Sequence, residues 1–454
     1  MFRKILIANR GEIALRVARA CRELGVASAA VYSTADARSA VVRFADEAVH
    51  IGPPPAKRSY LDVPNVIEAA LKCGADAIHP GYGFLSEDAD FAEVCQDNGI
   101  TFVGPPPEVM HRIADKATVR GLMAGAGLPV LPGSEGTVAT LAEAREIADA
   151  IGFPLVIKAA AGGGGRGIAV VHQPDDLPAV FRETRATAQA LFGDPNVYVE
   201  RYLPAAAHVE AQILCDGRGA VLHLGERDCS LQRRRQKLVE ETPSPRLSAG
   251  QREEIGRYAV AAARAVGYSG AGTVEFLADE AGRLTFMEIN GRIQVEHPVT
   301  EMATGIDIVA EQIRVAAGEP LTLTQDDTVV RGVAIECRIN AEDPVQGFRP
   351  TPGTLDVFRP PAGPFVRTDS GFAEGDTVPA HYDSLLAKVI AWAPTRERAV
   401  ARLTRALEEF QVESGQVATT IPLVRDLIAQ PEFLAGTHST LFVDRFLARR
   451  AEAT

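Results

Sequence analysis

Over the first hundred residues, short apolar runs alternate with stretches whose apolar positions recur every three or four residues. Residues 4–8 form a run suited to a strand buried on both faces. After the Asn9-Arg10-Gly11 turn, Ile13, Val17, Cys21 and Leu24 fall on one helical face, and Glu12, Arg16, Arg19 and Glu23 on the opposite one. Strands at 27–32, 75–79 and 100–103 continue the βαβ pattern and predict an open parallel α/β domain over residues 1–114. Residues 115–131 read as a linker, because Gly125, Gly127 and Pro129 punctuate them and Pro132 follows. A small α+β unit is expected over 132–203, with helices at 141–151 and 175–190 and strands at 155–159, 168–172 and 197–201. Beyond it, strands at 208–214, 272–277 and 284–289 and a helix at 248–266 predict a central domain over 204–330. A β-rich C-terminal domain over 331–446 opens with a strand at 332–339 and carries a helix at 396–410. The fold class is therefore α/β and α+β, and no internal repeat is evident.

Length supports the division, since 454 residues exceed what one core organises. A net charge of −12 argues against nucleic-acid or anionic-membrane partners, while leaving room for a local cationic pocket. The six cysteines lack metal-ligand or redox spacing and read as reduced thiols. With no signal peptide and no run able to span a bilayer, a cytoplasmic protein is expected.

Chemistry concentrates in a few places. Lys158 ends an apolar strand beside Gly162, Gly163, Gly164 and Gly165. Consecutive glycines let backbone N–H groups converge on phosphate, or order as a lid; a plain hairpin connection is the other reading. No GKS or GKT follows, so this is not a P-loop. Lys116 and Lys158 are candidate phosphate ligands. Glu275 and Glu288 each interrupt an apolar strand, and with Asn290 they can converge on Mg2+; acids facing water on the polar side of a strand are the alternative. Arg292 offers a planar fork for a small oxyanion, Gln294 completes the site, and Glu296 can accept its proton. The charge run 226–237, ending at Lys237, fits either a solvated face or a polyphosphate. Arg338 lies in a strand-like run and is expected to point inward against an anionic partner.

Taken in order, several segments resemble the biotin carboxylase family of the ATP-grasp superfamily over nearly the whole chain. They are Ile7-Ala8-Asn9-Arg10-Gly11-Glu12-Ile13-Ala14, His79-Pro80-Gly81-Tyr82-Gly83-Phe84-Leu85-Ser86-Glu87, the glycine run, residues 226–237, 292–301 and 336–340, and Tyr382-Asp383-Ser384. The resemblance implies a Rossmann-like pre-ATP-grasp domain, an ATP-grasp lid and central domain, and the family's C-terminal domain. It assigns Lys116, Lys158, His208, Gln232 and the lid glycines Gly163, Gly164 and Gly165 to ATP, with Glu200, Arg201 and Leu203 around the adenine. Glu275, Glu288 and Asn290 would hold Mg2+, or Mn2+ in its place. Lys237, Arg292, Gln294, Val295 and Glu296 would bind bicarbonate, and Tyr82 and Arg338 biotin. Glu296, Arg338, Lys237 and Arg292 would be catalytic.

The resemblance further implies a homodimer, with Arg16, Arg19 and Glu23 at interface positions, or else a solvated helix face. Biotin would arrive on a carrier protein, and no Ala-Met-Lys-Met motif is present. Carrier and carboxyltransferase are therefore expected on separate chains, as in acetyl-CoA or propionyl-CoA carboxylase and fatty acid biosynthesis. The rivals are another ATP-grasp ligase, a non-catalytic nucleotide-binding subunit, and a biotin carboxylase serving urea or guanidine. Two departures stand out. Arg235 replaces an expected histidine, and Gly291 stands where a bulkier residue would stiffen the strand.

Overall fold

A computed structural model of the chain describes residues 1–161 and 167–452. The N-terminal part is a five-stranded parallel sheet built around the Lys4–Ile7 strand, which pairs with Ala27–Ser33 on one side and Ala77–His79 on the other. Alternation along that strand feeds two cores. Ile5 and Ile7 pack with Ile13, Val17 and Cys21 of the Gly11–Glu23 helix, while Leu6 packs with Ile78 and Phe91 on the opposite face.

The predicted polar face of that helix is only half polar in its surroundings. Arg19 and Glu23 are exposed, but Glu12 and Arg16 are buried. Arg16 meets Glu301 at 3.0 Å and Asp307 at 2.5 Å, so it turns into its own chain. A second difference lies in residues 115–131, where Lys116–Gly125 is helical. Val119 and Met123, one turn apart, pack into the core beneath the neighbouring sheet and outweigh the glycines.

The following unit is a three-stranded antiparallel sheet with Leu155–Ala159 at its centre, between Ile168–Val171 and Val197–Arg201. Helices Leu141–Ile151 and Leu177–Phe192 cover one face through Ala144, Ala148 and Phe181. The first starts at a capping box between Thr140 and Glu143. Leu155, Ile157, Val197 and Val199 face those helices. Val156, Lys158 and Tyr198 line a cavity on the other face.

An eight-stranded antiparallel sheet forms the body, in the order Leu284–Asn290, Gly270–Ala278, Ala207–Cys215, Val221–Arg233, Gln236–Thr242, Val333–Asn340, Leu385–Ala393 and Val366–Ser370. It runs unbroken from the central segment into the C-terminal one. The Ala249–Val266 helix packs Ile255, Ala259 and Val266 against Val209, Ala211 and Phe276 on one face. Among the described residues, no helix is long and apolar enough to cross a membrane.

Candidate active site

Strand parity dictates where the charges gather. With Val209, Ala211 and Ile213 in the core, His208, Glu210 and Gln212 take the other face of their strand. Register then places Glu275 directly opposite Glu210 on one side and Glu288 on the other. Three adjacent carboxylates on one face repel one another, so the fold has to bring cations to them. Lys237 does so, with its ammonium 2.7 Å from Glu210, 3.4 Å from Glu275 and 2.5 Å from Glu296. Arg227, fully buried, lies 2.6 Å from Glu210, His208 lies 2.9 Å from Glu275, and Lys116 lies 2.5 Å from Glu288.

Burial by itself would push the Glu296 carboxyl up, but Lys237, Arg338 and Arg227 together hold it well below the usual carboxylate range. Glu275 is likewise held low, against burial, by Lys237 and His208. Burial would lower the Lys237 ammonium, yet Cys229, Glu210, Glu275 and Glu296 raise it well above its ordinary value. Arg338 comes from the Val333–Asn340 strand and is bound to Glu240 at 2.6 Å and to Glu296 at 2.9 Å. Glu296 therefore sits between two cations, one on each oxygen.

The loop from Asn290 to Glu296 supplies the rest. Arg292 is held by Glu87 at 3.1 Å and donates to Gln294 at 2.7 Å. Asn290 and Gln294 both donate to Glu275 Oε1, at 2.9 and 3.2 Å. Glu296 then occupies the position before the His297–Thr304 helix without a side-chain capping bond, and Pro298 lies in the first turn. From the N-terminal sheet, Asn9 donates to the carbonyls of Pro80 and Tyr82 and pins the loop that presents Tyr82. Gly81 in that loop has φ 63°, and a Cβ there would lie 2.9 Å from Asn9 Nδ2, so the turn requires glycine.

These elements surround one cavity of about 1370 Å³. Lining it are Tyr82, Lys116, Lys158, Arg201, Leu203, His208, Gln232, Lys237, Glu275, Glu288, Asn290, Arg292, Gln294, Val295 and Arg338. Glu296 and Glu200 lie just behind this lining: Glu296 is fully buried beneath Lys237 and Arg338, and the Glu200 carboxylate binds Lys158 at 2.6 Å and Arg120 at 2.9 Å. Gly163, Gly164 and Gly165 lie outside the described residues. The 226–237 run is solvated only at its tip: Glu226, Arg227 and Asp228 are buried within the Val221–Arg233 strand, while Arg234, Arg235 and Gln236 are exposed. At the tip of its hairpin, Arg234 and Arg235 adopt positive φ of 47° and 66° and both line the cavity. At Gly291 the strand is not loosened, because Ile113 fills the space: a Cβ there would come within 2.7 Å of Ile113 Cδ1. Sequence reasoning missed Glu210, Glu240, Arg227 and Lys388. A lone charge at a buried position of an apolar strand was the available signal for Glu210 and Lys388.

A deep cleft lined by cations, paired acids on an antiparallel sheet and a small antiparallel unit beside them define an ATP-dependent ligase of the ATP-grasp class. Three family models match the chain: the N-terminal domain of biotin carboxylase over 1–110, the ATP-binding domain of the carbamoyl-phosphate synthase L chain over 115–324, and the C-terminal domain of biotin carboxylase over 336–445. A biotin carboxylase from Nostoc sp. is 54% identical over 442 residues, covering 97% of this chain and 98% of that one. A Campylobacter jejuni biotin carboxylase, solved as a βγ-ATP complex, superposes with a TM-score of 0.95 at 43% identity, covering 98% of this chain and 99% of that one. The biotin carboxylase domain dimer of Hydrogenobacter thermophilus 2-oxoglutarate carboxylase, solved with MgADP, ADP and bicarbonate, gives 0.94 at 46% identity, covering 98% of each chain. The chain belongs to the biotin carboxylase family.

Proposed function

We propose that the protein uses MgATP and bicarbonate to carboxylate biotin presented by a carrier protein. The observation that carries this reading is Glu296, ionised and clamped between Lys237 and Arg338 beside a cavity lined by Lys116 and Lys158. The two cations keep this carboxylate ionised, and so able to accept a proton, and they offset the charge of a second anion arriving beside it, while the same contacts lower its basicity. Lys158 and Lys116 bind nucleotide phosphates, and Leu203, Arg201 and Gln232 border the nucleoside. Glu275, Glu288 and Asn290 offer oxygen donors from facing positions of two paired strands, a set that fits Mg2+. That ion, when bound, neutralises phosphate charge.

Bicarbonate rests against Arg292, Gln294, Lys237 and the Val295 backbone and loses its proton to Glu296. Its oxygen attacks the γ-phosphate, giving ADP and carboxyphosphate, which breaks down to CO2 and phosphate. Phosphate then takes the ureido proton of biotin, next to Tyr82. Arg338 balances the negative charge that develops on the ureido oxygen, and the ureido nitrogen bonds to CO2.

We assign the half-reaction to an acetyl-CoA or propionyl-CoA carboxylase, with carrier and transferase on other chains and the protein as a homodimer. The Hydrogenobacter relative favours one second reading, a 2-oxo acid as final acceptor. The deciding measurement is ADP release from MgATP with bicarbonate and free biotin each present or withheld. Stimulation that needs both supports the half-reaction, and its absence in protein that binds ATP refutes it. Supplying acyl-CoA or 2-oxo-acid transferase partners then separates the two acceptors.

A further inference from the structure

Lys388 lies within the Leu385–Ala393 strand, wholly buried, in an otherwise apolar stretch of sequence, with Arg338 and Asp369 as its cross-strand partners. A lysine in that position is costly unless its ammonium is matched, and here it is matched from three directions. Its Nζ donates to the Val295 carbonyl at 2.8 Å, lies 3.0 Å from Glu12 Oε1, and lies 3.9 Å from Asp369 Oδ2. The partners belong to the loop that carries Glu296, to the first helix of the chain and to the neighbouring strand Val366–Ser370. Glu12 Oε1 also accepts the Tyr82 hydroxyl, and both residues line the cavity.

The bond to Val295 bears directly on the base. Val295 and Glu296 share a peptide plane, so a fixed carbonyl at Val295 fixes the direction from which Glu296 enters its helix. The geometry points to Lys388 as a positioning residue of the carboxylation centre, holding the Val295–Glu296 peptide on one side and the Glu12–Tyr82 pair on the other. It touches no reacting atom in the proposed scheme, and the assignment rests on that scheme. Burial would lower the ammonium, but Glu12, Glu336 and Asp369 keep it raised, so both bonds stay charge-assisted.

The test compares the parent protein with Lys388→Met and with Lys388→Met/Glu12→Gln, which removes the buried pair together and limits the folding penalty. Each is assayed for ADP release with bicarbonate titrated at saturating MgATP and biotin, and for ADP affinity by calorimetry. The expected result is a KM for bicarbonate raised about tenfold or more in both variants, with ADP affinity within about twofold of the parent. If the single variant is insoluble, the double variant decides. A purely structural lysine would reduce the amount of active protein, lowering kcat at unchanged KM, and that outcome overturns the proposal. A parent that shows no turnover dependent on bicarbonate and biotin refutes the functional scheme itself, and the positioning role with it. Parent turnover with unchanged KM in the variants refutes the role of Lys388 alone.

Discussion

Glu296→Gln separates the base from its scaffold. The carboxylate accepts from Lys237 at 2.5 Å and Arg338 at 2.9 Å, and the amide keeps one acceptor oxygen at nearly the same volume. Neither cation is orphaned. Lys237 retains Glu210 at 2.7 Å and Glu275 at 3.4 Å, and Arg338 retains Glu240 at 2.6 Å. Breaking an isolated buried ion pair costs about 3–5 kcal/mol, but with these partners left the loss should lie nearer about 1–3 kcal/mol. The chemical step loses a general base, worth about 10²–10⁴-fold, which is about 3–5 kcal/mol of transition-state stabilisation. Lys158, Glu200 and Leu203 make no contact with Glu296, so nucleotide affinity should stay within about threefold. Coupled ADP release measures the first effect, calorimetric titration with ADP the second, and thermal unfolding the stability. Turnover within about tenfold of the parent, in folded variant protein, would remove Glu296 as the base.

Arg338→Gln leaves Lys237 on Glu296, so bicarbonate-dependent ATP cleavage should persist while carboxybiotin formed per ADP drops by about 10²-fold; equal loss of both would move Arg338 into the phosphoryl step. Burial pushes the Glu240 carboxyl from the usual 4.5 up to about 7 despite Arg338. Between those values the folded chain keeps a proton that the unfolded chain has lost, so stability present below the lower value is lost as pH rises to the upper one. Glu240→Gln should flatten that part of a melting-temperature profile, and a parallel profile would exclude Glu240 as its source. Five of the six free cysteines are buried, and burial raises the Cys21, Cys95 and Cys215 thiols to about 12. Half-buried Cys73 should therefore be the thiol that an aromatic disulfide reagent titrates first in native protein, with Cys73→Ser abolishing the fast phase.

The elements most legible in the sequence were those whose period matches their burial. Helix Leu141–Ile151 and strands Leu155–Ala159 and Val197–Arg201 begin and end where the apolar pattern and its caps place them. Where charge meets charge inside the fold, pattern fails. Glu12 and Arg16 sit on the polar side of a well-marked amphipathic helix, yet they are buried, because Lys388 and Glu301 reach them from distant parts of the chain. Hydropathy records that a residue is charged and is silent on whether its neighbour is water or a counter-charge. Residues 226–237 mislead in part for the same reason, since Glu226, Arg227 and Asp228 have buried partners, while Arg234 and Arg235 at the hairpin tip are exposed and face the cavity.

The candidate site divides along that line. Residues 290–296 were legible because one loop carries them, and register turned Glu275 and Glu288 into direct neighbours, as their similar strand contexts suggested. Glu210, Glu240, Arg227 and Lys388 join only through tertiary pairing, and together they alter the energetics of binding. Lys237, Lys116, Lys158 and Arg292 each already hold a carboxylate, from Glu210, Glu288, Glu200 and Glu87 respectively. An arriving phosphate or bicarbonate thus competes with a fixed carboxylate as well as with water. Its binding free energy is a difference between charge-assisted bonds gained and lost, smaller than four cations in one cleft suggest. A net charge of −12 is compatible with such a cleft because the acids that balance its cations are part of the same buried network.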